Sequence, residues 1–174
     1  YQLTASIPLK ADGRTMTAAA DMFIDKDGKL YVLDSAGIIF VYDGNLEYLY
    51  TVSEFLDPVG QPVSFNNPGG IFVADNGDIY IADMENKRVV CTDKTGMLLQ
   101  EFVRPVSNMY PKELDFKPTK VLCDSVGNVY VLCSGSYFGA VVFDREANFQ
   151  GFYGTSKVQV TERNAISGFN EGLV

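Results

Sequence analysis

Pro68 to Phe102 reads PGGIFVADNGDIYIADMENKRVVCTDKTGMLLQEF. Four short apolar runs alternate here with three turn signals, which predicts a four-stranded antiparallel meander. The runs are rich in β-branched and aromatic residues, which favour strand over helix. The turns Asn76-Gly77-Asp78 and Lys94-Thr95-Gly96 each contain a glycine, which readily adopts the positive φ of a tight turn.

Variants of this stretch occur once before it and once after it. Gly28, Gly77 and Gly127 are separated by 49 and 50 residues. Tyr31, Tyr80 and Tyr130 each follow their glycine by three residues, and Asp43, Asp93 and Asp144 end the third run of each copy. A period of about 20 to 50 residues is typical of solenoids, propellers and arrays.

The apolar runs are nearly continuous rather than alternating. Both faces of each small sheet are therefore predicted to be buried. The gaps inside each copy are too short for the crossover helices of a parallel sheet. Small sheets stacked face to face around an axis bury both faces without helices, so the predicted fold class is an all-β propeller with four-stranded antiparallel blades.

The pattern PGGIxVxDxGxIYIADxxNxRV over residues 68–89 resembles the NHL repeat, which forms one blade of a β-propeller. The first copy has Asp34-Ser35-Ala36-Gly37 where the Asn-x-Arg loop belongs, and the third has CSGSYFG over residues 133–139. The resemblance extends over roughly residues 20–154. It implies about three blades of a ring that has about six.

The resulting division of the chain has five parts. They are an N-terminal strand and loop at 1–19, blade 1 with its link at 20–67, blade 2 with its link at 68–117, blade 3 at 118–154, and a tail at 155–174 that starts no clear fourth copy. The strand is expected over Tyr1–Leu9, as the outer strand of a preceding blade, and the loop over Ala11–Thr17. Since the chain begins without Met and stops within the pattern, we expect it to be part of a longer protein.

Charge and hydropathy exclude two classes of partner. The formal net charge is −8, and each successive third of the chain has more acidic than basic side chains. Nucleic-acid binding requires a basic surface, so no nucleic-acid partner is expected. No apolar run approaches the about 18 residues of a membrane span, so no membrane insertion is expected either.

The cysteines Cys91, Cys123 and Cys133 are interpreted as small buried strand residues rather than as a disulfide framework. The turn near Gly127 places Cys123 and Cys133 out of register, so a bridge between them would be strained. An acidic chain that is poor in disulfides favours a bacterial extracellular or cell-surface protein.

The candidate binding residues lie in the loops between the second and third strands, because these loops emerge with the links on one face of a propeller. They are Asp83, Glu85, Asn86 and Arg88 in the second copy and Tyr137 and Phe138 in the third. The alternative for the four polar residues is bracing of the loop by hydrogen bonds and ion pairs. The alternative for the two aromatic residues is blade packing.

The sequence gives little support to a catalytic function. The chain has no histidine, which removes Ser-His-Asp, Cys-His and His-metal sites, and no spacing specifies a metal site. Asp25-Lys26-Asp27-Gly28 looks like part of a calcium loop but lacks the later ligands, so a hairpin turn is the better interpretation. The expected function is a non-enzymatic binding or scaffolding module for a protein, peptide or glycan, with no cofactor. The alternative is part of a calcium-dependent six-bladed propeller hydrolase or lyase.

Three blades leave one apolar face open at each end of the stack, which is a solubility liability. We therefore expect the chain either to form a homodimer or to continue into further blades.

Overall fold

The computed structural model describes residues 6–7 and 10–154. Within them the chain forms three four-stranded antiparallel sheets and two small two-stranded hairpins. Blade 1 comprises β3 Ala19–Ile24, β4 Leu30–Asp34, β5 Ile38–Tyr42 and β6 Tyr48–Val52; blade 2 comprises β9 Gly70–Val73, β10 Ile79–Asp83, β11 Arg88–Thr92 and β12 Leu98–Val103; blade 3 comprises β13 Pro118–Cys123, β14 Val129–Cys133, β15 Ala140–Phe143 and β16 Phe149–Tyr153. Each blade follows sequence order, so the predicted meanders are confirmed. No helix in this part of the chain is long and apolar enough to cross a membrane.

Six of the tight turns share one hydrogen-bonding arrangement, and the β9–β10 turn, which has Ala74 at the corresponding position, lacks it. The carboxylate of Asp25 accepts hydrogen bonds from the backbone N–H groups of Asp27 at 3.0 Å and Lys29 at 2.8 Å. The same pair of bonds, to the second and fourth residues onward, is made by Asp43, Asp57, Asp93, Asp124 and Asp144. An aspartate that bonds its own turn in this way favours the turn over continued strand.

Two apolar cores lie between consecutive blades. Between blades 1 and 2, Leu33 and Val41 pack with Ile71 and Ile81. Between blades 2 and 3, the corresponding core contains the ring of Phe102, which contacts Phe143 in edge-to-face geometry with centroids 5.5 Å apart. Aromatic rings of this size dominate the burial energy of such interfaces.

The first strands of the blades, β3, β9 and β13, approach one another closely. The backbone N–H of Ile71 donates to Asp21 at 3.1 Å, and the Lys120 ammonium lies 3.0 Å from the other oxygen of that carboxylate. A Cβ at Gly70 would lie 2.8 Å from the Thr119 carbonyl oxygen. Only glycine allows this approach without a shift of the backbone.

The structure differs from the sequence-based expectations in the links. β7 Glu54–Leu56 and β8 Pro62–Ser64 form a hairpin inside the first link, where no strand was predicted. β1 Lys10–Ala11 and β2 Arg14–Thr15 pair where a loop was predicted. Most of the predicted strand over Tyr1–Leu9 lies outside the described residues, as does the whole tail from 155 to 174.

Both sheet faces are buried between blades, and the outer face of blade 3 is open, as was expected for each end of a stack of three blades. Leu122 and Leu132 point outward there and are 48% and 49% exposed. The open face expected at the opposite end of the stack is not found, because Ile7, Ala11 and Met16 pack on the outer face of blade 1.

Candidate functional site

The loops between the second and third strands of each blade and the links between blades emerge at the same end of the stack. An antiparallel meander forces this arrangement, because its first strand enters and its fourth strand leaves at that end. We call it the loop end. The opposite end carries the tight aspartate turns and is called the turn end. All six candidate residues from the sequence lie at the loop end.

Asp83 is the most buried of these candidates. Its side chain is fully buried, and it accepts hydrogen bonds from the Asn66 backbone N–H at 2.7 Å, the Asn86 amide at 2.8 Å and the Arg88 guanidinium at 2.9 Å. A buried carboxylate needs this degree of pairing. The geometry ties the incoming link to the loop, and it leaves Asp83 without access to a partner molecule.

Arg88 joins three parts of the structure. It bonds Asp83, pairs with Glu101 of β12 at 2.8 Å, and lies over the Phe55 ring with its guanidinium carbon 5.1 Å from the ring centroid. Phe55 belongs to β7, so the cation–π contact fastens the link hairpin to blade 2. Glu85 is more exposed and pairs with Lys117 at 3.5 Å.

Tyr137 and Phe138 are presented differently from the polar candidates. Tyr137 is 91% exposed, and Phe138 is 40% exposed with its ring 5.4 Å from that of Phe152. They lie in the β14–β15 loop between Gly135 and Gly139, both of which have positive φ. A large aromatic side chain held in solvent beside a packed one is typical of a contact surface rather than of a core.

Tyr110 lies beneath this surface and is 2% exposed, and the sequence analysis did not single it out as a site residue. Its ring stacks on that of Phe152 with centroids 5.7 Å apart, and the guanidinium carbon of Arg104 lies 5.0 Å from its centroid. Next to it, Met109 is 67% exposed. We call Met109, Tyr110, Tyr137, Phe138 and Phe152 the aromatic shelf.

The Tyr110 hydroxyl is buried and has no hydrogen-bond partner, the one such side-chain polar atom among the described residues. Burial raises the pKa of this hydroxyl to about 12. The ring therefore acts as an apolar floor for the shelf, whereas the hydroxyl contributes no stabilising bond.

Charged side chains lie near the Tyr110 end of the shelf. Lys87 bonds both oxygens of Asp115 at 2.9 Å, and this bond holds the pKa of the Asp115 carboxyl below its ordinary value. Arg104 donates to the carbonyl oxygens of Pro111 and Lys112, each at 3.2 Å, which orders the second link. The shelf thus combines apolar side chains with neighbouring charged ones, as recognition patches do.

A second concave region lies at the turn end between blades 2 and 3. It is a groove of about 620 Å³ with Tyr80 and Cys123 among its lining residues and Asp78, Asp124 and Arg145 as charged members. Arg145 donates to the Val126 carbonyl oxygen at 2.7 Å, which fixes it in the wall. The groove contains no histidine and no group that the structure singles out as reactive.

Metal binding and thiol reactivity find no support among the described residues. They contain no group of three or more Cys, Asp or Glu side chains placed to hold a metal ion. The three thiols are free, and burial raises the pKa of Cys91 and of Cys133 to about 12. Thiols with such pKa values are not nucleophiles at neutral pH.

Comparison with known proteins identifies the repeat. The model of the NHL repeat matches residues 65–91, which cover the second copy. No curated protein sequence matches the chain. Solved structures of bacterial proteins share its fold at low sequence identity, and the chain spans half or less of their length.

The solved structures that align with a TM-score of 0.50 or above include three bacterial proteins. PorZ, an essential surface component of the type-IX secretion system of Porphyromonas gingivalis, has a TM-score of 0.55 and 12% identity over 80% of this chain and 21% of its own. The extracellular domain of a one-component system of B. thetaiotaomicron has a TM-score of 0.53 and 17% identity over 76% of this chain and 18% of its own. A protein of unknown function from Bacteroides caccae has a TM-score of 0.50 and 15% identity over 77% of this chain and 50% of its own. The structural neighbours are β-propeller proteins, and the chain accordingly contains an NHL repeat and folds as blades of the β-propeller type.

Proposed function

We propose that the chain is a non-enzymatic binding or scaffolding module that recognises a protein, peptide or glycan at its loop end, through the aromatic shelf. The observation that carries the proposal is Tyr137, which is 91% exposed and lies next to a packed aromatic cluster. A flat, exposed ring loses little conformational entropy when it is covered, so it serves both aromatic side chains and the apolar faces of sugars.

The polar candidates have a different role in this proposal. Asp83, Asn86 and Arg88 satisfy one another within blade 2, so they hold the loop in place. Glu85 and Lys87 pair with Lys117 and Asp115 of the second link, and all four side chains are partly or well exposed. These two pairs supply polar rim contacts for a ligand, which favour specificity over affinity.

The proposal places the protein at a bacterial cell surface or outside the cell, with no nucleic-acid partner. The net charge of −8 supports the absence of a nucleic-acid partner, because the phosphate groups of a nucleic acid would be repelled. Two of the propeller neighbours are described as a surface component and an extracellular domain, but the shared fold alone does not extend that location to this chain.

Screening against a glycan array and a displayed peptide library tests the proposal. Any ligand so identified is then measured with Tyr137→Ala and with the control Val59→Ala. Val59 is 78% exposed and follows Asp57 in the turn of the β7–β8 hairpin. The backbone bond from Leu56 to Gly96 places this turn at the turn end, away from the shelf.

We expect Tyr137→Ala to weaken binding about 30-fold, since truncation of an aromatic hot spot costs about 2 kcal/mol. Val59→Ala should leave the affinity unchanged. Equal affinities for the wild type and Tyr137→Ala would refute the assignment of binding to the shelf. A failure of both screens to yield any ligand would count against recognition of peptides and glycans altogether.

A further inference from the structure

The tyrosine that recurs in each blade has a different partner in blade 2. The hydroxyl group of Tyr31 donates to Asp25 of its own turn at 3.2 Å, and blade 3 repeats this bond at the same distance. Ala74 occupies the position of Asp25 in blade 2, so Tyr80 has no carboxylate there to bond. Blade 2 therefore contains a tyrosine hydroxyl that its own turn does not hold.

The Tyr80 hydroxyl lies among thiols instead. Burial, together with hydrogen bonds to Cys123 of blade 3 and Cys91 of blade 2, raises the pKa of Tyr80. A thiol is a weak hydrogen-bond partner, so it holds a phenol hydroxyl less firmly than a carboxylate does. The hydroxyl is therefore available to a ligand in the groove of about 620 Å³ between blades 2 and 3, which Tyr80 lines.

The tyrosine belongs to a row of side chains that crosses all four strands of its blade and faces the next blade. The rows comprise Phe23, Tyr31, Val41 and Tyr50 in blade 1 and Phe72, Tyr80, Cys91 and Gln100 in blade 2. The blade 2 row ends in Gln100, where blade 1 has the bulkier Tyr50. Tyr31 is accordingly 5% exposed, whereas Tyr80 is only partly buried.

The wall that faces each row changes in the same direction. Val73, the last residue of β9, is 4% exposed in the core between blades 1 and 2. The corresponding last residue of β13 is Cys123, which is only partly buried against the second core. The second junction is thus lined by smaller and more polar side chains than the first, and these line the groove.

The two walls of the groove carry opposite charges that no ion pair neutralises in the described part of the chain. Asp78 of blade 2 accepts a hydrogen bond from the Asn76 amide at 2.7 Å, and Arg145 of blade 3 donates to the Val126 carbonyl oxygen at 2.7 Å. Burial raises the pKa of the Cys123 thiol, Asp78 adds to the rise and Arg145 opposes it, so both charges act on the same part of the groove.

We propose that this groove binds a zwitterionic amino acid or short peptide, with its carboxylate on Arg145, its ammonium group on Asp78 and an apolar side chain against the Phe72 ring. Charge-assisted hydrogen bonds to both ends of the ligand favour it over a molecule with one charge, which would leave one wall unpaired. The volume of the groove lies within the about 300–1,000 Å³ of small-molecule sites. The site is at the turn end and is independent of the aromatic shelf.

NMR titration of the isotope-labelled protein with L-phenylalanine tests the proposal, because the shifted backbone amides locate the bound molecule. Phenethylamine lacks the carboxylate and phenylpropionate lacks the ammonium group, so these two are the matched control ligands. We expect shifts at Asp78, Gly127 and Arg145, which line the groove, and none at Tyr137. Each control ligand should bind about tenfold more weakly, since a hydrogen bond to a charged group is lost.

Glycyl-phenylalanine distinguishes the two sources of a zwitterion. Tighter binding of this dipeptide than of L-phenylalanine supports a peptide site, and the reverse supports an amino-acid site. Absence of shifts with both compounds would overturn the proposal. Equal affinities for L-phenylalanine and its two singly charged analogues would also overturn it.

Arg145→Gln should weaken the binding of L-phenylalanine about tenfold and leave that of phenethylamine unchanged. Lys26→Gln removes an exposed cation from a turn of blade 1 and should leave both unchanged. The triple variant Cys91→Val, Gln100→Tyr and Cys123→Val introduces the side chains of the first junction, so it should close the groove and abolish the shifts. Equal affinity of the wild type and Arg145→Gln for L-phenylalanine would overturn the proposal whether or not the triple variant folds.

Discussion

Replacement of Asp83 by alanine tests how blade 2 is held together. The carboxylate is fully buried and accepts three hydrogen bonds, from the Asn66 backbone, the Asn86 amide and the Arg88 guanidinium. Removal of one member of a buried ion pair costs about 3–5 kcal/mol, because the other charge stays behind without its partner. Arg88 is 17% exposed and keeps its bond to Glu101, so we expect the lower end of that range, about 3 kcal/mol.

The assay is thermal unfolding followed by circular dichroism. For a chain of this length a loss of about 3 kcal/mol lowers Tm by about 6–12 °C. Asp115→Ala is the matched control, because it removes an equally close pair, Lys87–Asp115, whose side chains are about half exposed. Exposed pairs contribute little, so its Tm should stay near that of the wild type. Equal Tm values for Asp83→Ala and Asp115→Ala would refute the assigned role of Asp83.

Three further predictions concern stability. Tyr110→Phe should keep or raise Tm, because it deletes a buried hydroxyl without a partner. Tyr31→Phe should instead lower the free energy of unfolding by about 0.5–1.5 kcal/mol, because it removes the hydrogen bond to Asp25. A larger loss of stability for Tyr110→Phe than for Tyr31→Phe would contradict this prediction. Hydrogen bonds from Thr95 and from Asn128 hold the pKa values of Asp93 and Asp124 below their ordinary value of 3.8. The contribution of these two carboxylates to stability should therefore be complete above about pH 5 and be lost as the pH falls through the folded pKa values. A melting temperature that does not fall in acid would contradict this pH dependence. Calcium at millimolar concentration should leave Tm unchanged, because the turn carboxylates already accept backbone N–H bonds; stabilisation at micromolar calcium would favour the hydrolase or lyase alternative.

The blade architecture could be predicted from the sequence because its determinants are local. Gly28, Gly77 and Gly127 mark turns that require positive φ, and their φ values are 81°, 93° and 94°. The strand runs between such turns are short, apolar and β-branched. These signals recur at a nearly constant period, so an error in one copy is corrected by the other two.

The link hairpin could not be predicted, because its stability is tertiary. β7 has only three residues, and Pro58, Gly60 and Pro62 surround its turn. The hairpin is held by Phe55, which packs in the core between blades 1 and 2 and lies under Arg88. Both contacts come from residues distant in sequence.

The candidate site was predicted only in part. Tyr137 and Phe138 attract attention as aromatic residues between glycines, and the structure places them on a surface. Tyr110 is missed because Met109-Tyr110-Pro111 reads as an ordinary loop, and its neighbour Phe152 lies 42 positions later. The one available signal was the unusual length of the second link.

The central claim is that similar four-stranded sheets stack face to face. Nuclear Overhauser effects between aromatic rings of different blades test it most directly. Phe23 and Phe72 of blades 1 and 2 have ring centroids 5.0 Å apart, and Phe102 and Phe143 of blades 2 and 3 have theirs 5.5 Å apart. We predict cross-peaks for both pairs, together with the cross-strand contacts of three antiparallel meanders. Absence of both inter-blade cross-peaks in a folded sample, or helical contacts across these strands, would contradict the account.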